Sequence, residues 1–72
     1  MEQKEFQKKL GAQIARLRKN KKISKVNFAY MLDKEKQNFN KIEKGHENPK
    51  TWFLYKIALV PDVPFSKFFE WE

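Results

Sequence analysis

The sequence predicts an all-α protein of five short helices, and three observations predict it. Between Ser24 and Glu43 the stretch SKVNFAYMLDKEKQNFNKIE carries two short amphipathic periods separated by one turn. Upstream, Phe6, Leu10, Ile14 and Leu17 lie at spacings of four, four and three, a single apolar stripe along a longer helix. Downstream, Gly45, Pro49 and Pro61 stand where helices must stop, Gly45 being suited to a left-handed C-cap and the prolines unable to continue a helix. Seventy-two residues allow one domain, 1–72, near the size at which a single core is only marginally stabilising. With no cysteine there is no disulfide or thiolate metal site, so packing must supply the stability.

The first helix ends in Lys19, Asn20, Lys21 and Lys22, whose three lysines are placed favourably at the negative end of the helix dipole. These lysines serve equally as a solvated terminus or as phosphate contacts beside the next helix. The narrow stripe of the same helix suits packing in a small core better than a broad lipid face. Ser24 can accept a backbone N–H as the N-cap of the second helix, which buries Phe28, Ala29 and Leu32. Asp33, followed by Lys34, is among the few non-glycine residues that tolerate a left-handed conformation at a tight turn. Phe39 and Ile42 are the inward residues of the third helix, so the motif spans about 24–43 and has the grammar of a helix-turn-helix.

With Phe39 and Ile42 buried, Lys36, Gln37, Asn40, Lys41 and Lys44 share the outer face of the third helix. All of them donate hydrogen bonds. The amides of Gln and Asn can pair two points on an adenine edge, and Lys can donate to guanine acceptors or to phosphate. The loop EKGHENP follows, with His46 and Asn48 on it. One histidine and no cysteine make zinc improbable, and no nucleophile accompanies His46 for acid–base chemistry. Thr51 to Val60 reads as a fourth helix with Phe53, Leu54, Ile57 and Ala58 inward, Thr51 as its cap and Pro61 closing it. Phe65 to Trp71 reads as a short fifth helix. Its four aromatics exceed what core closure needs, which makes Phe69 and Trp71 candidates for a self-association face; a cofactor pocket is the more demanding account.

Charge narrows the partner. Sixteen basic against nine acidic side chains give +7, and the excess is concentrated at the N-terminus: residues 1–22 sum to +6, 23–50 to +2 and 51–72 to −1. A polyanion is the expected partner. No signal-peptide pattern and no apolar run of membrane-spanning length is present, so a cytoplasmic protein without membrane association is expected. No Gly-rich phosphate loop, catalytic triad or cofactor motif appears, and no enzymatic activity or cofactor is expected.

The segment from Leu10 to Phe69 resembles the Cro/lambda-repressor-like (XRE-type) helix-turn-helix proteins. Their pattern of a basic first helix, LSQxxLA, a turn glycine, a polar recognition helix, IExG and NP reads here as LGAQIARLRKN, ISKVNFA, MLDKEKQNFNKIEKG and ENPKTWFLYKIA. Ser24, Ala29, Ile42 with Glu43 and Gly45, and Asn48-Pro49 are all in register. Lys25 stands where the family usually has Gln, and Asp33 where it usually has Gly. The resemblance implies a compact lambda-repressor-like fold and sequence-specific binding of double-stranded DNA by a repressor-like regulator. The third helix would enter the major groove with Lys36, Gln37, Asn40 and Lys41 at base edges, and Lys25, Lys44, His46 and Asn48 would hold phosphates. It also pairs Arg18 with Glu43, a bridge that physics favours because a carboxylate near the core is costly unless a cation with several donors answers it. A homodimer on a palindromic operator is the usual way such a fold lengthens its site. The competing expectation is an antitoxin-like or other protein-interaction module that binds DNA for autoregulation.

Overall fold

The computed structural model describes residues 1–33 and 36–71, except for the side chain of Lys36. Four α-helices occur in the order α1 (Gln3–Asn20), α2 (Lys25–Met31), α3 (Lys36–Glu43) and α4 (Thr51–Leu59), followed by a 3-10 helix (Phe65–Phe69). Among the described residues there is no β-strand. At about 1.5 Å per residue, the 18 residues of α1 nearly span the 31 Å long axis of the molecule, which makes α1 the beam on which the rest is laid.

One apolar cluster holds the helices together. Leu10 and Ile14 of α1, Phe28 and Ala29 of α2, Phe39 and Ile42 of α3, Leu54, Ile57 and Ala58 of α4, and Phe68 are all buried, with Leu32 joining them from the α2–α3 turn. Phe6, Leu17, Phe53 and Trp71 are partly buried around it. Each fully buried side chain of this kind is worth roughly 1.5–3 kcal/mol relative to exposure. No buried side-chain nitrogen or oxygen among the described residues lacks a hydrogen-bond partner.

All four α-helices are followed within three residues by a residue of positive φ: Lys22 (58°), Asp33 (54°), Gly45 (80°) and Asp62 (55°). Only one of the four is glycine. At Lys22 the reversal is held by Ile23 N–H donating to Arg18 O at 3.2 Å, and at Asp62 by Val63 N–H donating to Ala58 O at 3.2 Å. These bonds satisfy helix-end carbonyls and offset the strain of a non-glycine left-handed residue.

Three sequence expectations need correction. The C-terminal segment is a 3-10 helix that stops at Phe69, so the five-helix description becomes four α-helices and one 3-10 turn, with Trp71 beyond the last element. Gln13, buried in α1, ties this turn to the core: its Nε2 donates to Lys67 O (2.7 Å) and Glu70 O (3.3 Å). Second, α4 ends at Leu59, with Val60 as its C-cap. Third, Thr51 is the first helical residue rather than the cap, which is Lys50 and makes no side-chain cap bond.

Candidate nucleic-acid interface

The second and third helices are set against each other by local chemistry. Ser24 Oγ accepts from Asn27 N–H at 3.1 Å, which fixes where α2 starts. Leu32 and Asp33 donate back to α2 carbonyls, and Asp33 takes the left-handed turn; Lys34, the other predicted turn residue, lies outside the described residues. Across the turn, Phe28 and Phe39 stack with centroids 4.9 Å apart and planes 16° from parallel. Such a pair adds about 0.5–1.5 kcal/mol beyond its area and fixes the rotation of α3 about its axis.

That rotation settles what α3 presents. Phe39, Ile42 and Glu43 are buried, Gln37 and Lys41 are exposed, and Asn40 is half-buried between them. Lys44 is exposed immediately after the helix. Lys36 opens α3, but its side chain is outside what the structure describes. His46 and Asn48 are exposed on the following loop. Lys44 and His46 line, with Lys4 and Lys8 of α1, an open cleft of about 560 Å³.

Beneath this face lies a buried ion pair. Arg18 Nε donates to Glu43 Oε2 at 2.7 Å and Nη2 donates to Glu43 Oε1 at 3.2 Å, the two-pronged geometry that a guanidinium and a carboxylate make best. Side-chain exposures of 7% and 3% remove it from water almost entirely. Arg18 Nη1 also donates to Ile23 O at 2.8 Å, so one guanidinium ties α1, the start of the motif and the end of α3 together. Lys25 reaches the same place: its Nζ donates to Asn40 Oδ1 at 2.6 Å and lies 3.9 Å from Glu43 Oε1. Two residues assigned separate tasks in the sequence, phosphate holding and base reading, are thus in direct contact.

Two further residues support the site, and the first of them is marked in the sequence. Gly11 lies in the middle of α1, where glycine costs about 1 kcal/mol relative to alanine, an expense that marks a close approach. The structure supplies the approach: a Cβ there would strike the carbonyl oxygens of Ile42 and Glu43, so α1 crosses the C-terminal end of α3 backbone to backbone. Gly45 repeats the theme, its φ of 80° combined with a would-be Cβ 2.6 Å from Lys8 Cα, and Gln7 Nε2 donates to Gly45 O at 3.2 Å. The second is Gln13, which nothing in its spacing distinguished from a solvated helix residue.

The C-terminal aromatics turn inward upon α1. Phe6 stacks with Phe69 (6.2 Å, 19°) and meets Trp71 edge-on (5.7 Å). Trp71 is partly buried in this cluster, while Phe69 keeps 41% of its surface exposed. On α4, Trp52, Tyr55 and Leu59 are exposed on one side of the helix, with the two rings stacked at 5.8 Å. Among the described residues no helix is long and apolar enough to cross a membrane, and no group of three or more His, Asp or Glu residues could hold a metal.

No protein-family profile and no curated protein matches the sequence. Solved structures do match the fold. The restriction-modification controller protein C.AhdI from Aeromonas hydrophila superposes with a TM-score of 0.80 at 21% identity, over 85% of this chain and 92% of that one. An HTH_3 family transcriptional regulator from Vibrio cholerae superposes with a TM-score of 0.86 at 29% identity, over 94% of this chain; the chain spans 38% of that longer protein.

Proposed function

We propose that this chain, whose architecture is that of the Cro/lambda-repressor-like (XRE-type) helix-turn-helix proteins, is a DNA-binding transcriptional regulator rather than an enzyme. It binds double-stranded DNA sequence-specifically, with α3 in the major groove. The observation that carries this reading is the outer face of α3: Gln37, Asn40 and Lys41 stand on a helix whose opposite side is locked into the core by Phe39 and Ile42. A rigid helix bearing amide and ammonium donors is what base-edge readout requires. Lys36 joins them at the N-terminus of α3. Lys44, His46 and Asn48 hold the backbone on one side, and Lys25, which has three donors and uses one on Asn40, has donors left for a phosphate.

In this reading two copies pair across a palindromic operator, using the exposed part of Phe69 and the neighbouring edge of Trp71. Regulation is repressor-like and works through occupancy. The similar proteins that are controllers and transcriptional regulators support the role. The test is selection of binding sites from a pool of random duplexes. A shared, palindromic sequence is expected; recovery of unrelated duplexes in proportion to the input would eliminate sequence-specific regulation.

A second reading has one observation in its favour. The exposed Trp52, Tyr55 and Leu59 stripe of α4 is the composition of a protein-contact patch, as an antitoxin-like module with autoregulatory DNA binding would need. A stoichiometric protein partner purifying with the chain, and lost on Trp52→Ala, would establish it.

A further inference from the structure

We infer that Lys25 is a positioning residue that holds the side-chain amide of Asn40 by its oxygen and sets a cation beside it, giving the chain a preference for guanine over adenine at the base pair Asn40 faces. The inference rests on the reading of α3 as the base-contacting helix. An asparagine recognises adenine by using both ends of its amide, Oδ1 accepting from the N6 amino group while Nδ2 donates to N7. Here Oδ1 accepts from the Lys25 ammonium at 2.6 Å, a short charge-assisted bond. Oδ1 keeps a second lone pair, but an adenine amino group using it would sit beside the ammonium, donor next to donor, and the positive charge disfavours it. Guanine presents O6 and N7, both acceptors, and both are favoured by a neighbouring ammonium with a spare Nζ hydrogen and by the amide's own N–H donors.

Lys25 is held to this task from below. Its Nζ is 3.9 Å from Glu43 Oε1, and that carboxylate is itself fixed by the two-pronged bond from Arg18. The side chain is one-third exposed, so the ammonium lies at the boundary between the buried pair and the reading face. Arg18, Glu43, Lys25 and Asn40 therefore form one chain of contacts from the core to the surface. An uncharged apolar residue at 25 would remove the charge beside Oδ1 and the bias against adenine with it. The change of lysine for the family's usual glutamine becomes a choice of base.

The experiment uses the full chain. Sites are selected from random duplexes with the wild type, and Asn40→Ala identifies the base pair whose preference it flattens. Binding of wild type, Lys25→Met and Lys25→Arg is then measured on duplexes carrying each base at that position, with thermal melting of each variant confirming that it folds. Wild type and Lys25→Arg should prefer guanine there, and Lys25→Met should shift the guanine-to-adenine ratio toward adenine by on the order of tenfold. An adenine preference in the wild type, no base pair that responds to Asn40→Ala, or a Lys25→Met that weakens every duplex equally overturns the inference while leaving DNA recognition by Gln37 and Lys41 standing. Failure of the wild type to select any sequence removes the proposed function itself, and this inference with it.

Discussion

At the scale of single residues, the weight falls on positions where an atom too many or a charge too few cannot be accommodated. Gly11 is the first. A methyl group there meets backbone carbonyls of α3, which cannot rotate away as a side chain would. Gly11→Ala is expected to destabilise the fold by about 1–3 kcal/mol despite alanine's better helix propensity, as measured by urea unfolding. An increase in stability would mean that α1 and α3 are not in backbone contact. The Arg18–Glu43 pair is the second. Because both side chains are almost wholly buried, removing one strands the other. A double-mutant cycle should return a coupling of about 2–4 kcal/mol. Coupling below about 0.5 kcal/mol is what an exposed pair gives and would contradict the burial.

At the scale of elements, the proposed docking of α3 separates reading from holding. Gln37 and Lys41 are one turn apart and exposed, on the side of the helix opposite Phe39 and Ile42. Alanine at either is expected to cost about 1–3 kcal/mol on the selected site and to relax preference at a particular base pair. Lys44 lies past the last helical turn, beside the cleft shared with Lys4 and Lys8. Lys44→Ala should weaken all duplexes alike and reduce the salt slope by about one. Competition titrations on single-base variants of the site distinguish the two behaviours. If Lys44→Ala changes base preference while Gln37→Ala and Lys41→Ala do not, α3 is docked the wrong way round.

At the scale of the whole molecule, charge and association decide. The net charge of +7 is concentrated in α1 and the linker after it, and in the proposed complex phosphate neutralisation is the expected sequence-independent contribution to affinity. If a bound dimer neutralises roughly six phosphates, log affinity should fall against log salt with a slope of about −5. A slope near zero between low and moderate salt would remove the electrostatic account. Dimerisation is expected on DNA through the exposed surface of Phe69. Sedimentation of wild type and Phe69→Ala, with and without the selected duplex, is the measurement, with melting curves to separate loss of dimer from loss of the Phe6 cluster. A wild type that stays monomeric in both conditions, on an asymmetric site, refutes it.

The sequence by itself determined the helices and the two sides of each. Apolar spacing at Leu10 and Ile14, at Phe28, Ala29 and Leu32, and at Phe39 and Ile42 is a local property, and burial follows from it because a helix has only one face to give to the core. Ser24 as a cap and Gly45 as a terminator were equally legible, being chemistry between a residue and its own neighbours in the chain. Tertiary structure alone decided what crosses between elements. That Gly11 meets the end of α3, that Gln13 bonds to a carbonyl of the 3-10 helix 54 residues away in sequence, and that Trp71 packs against Phe6 depend on how helices lie on one another. The contact of Lys25 with Asn40 belongs to the same class. Hydrophobic periodicity fixes which side of a helix is inside, but it carries no information about which polar atom of one helix comes within 3 Å of another, and the proposed reading face depends on those contacts.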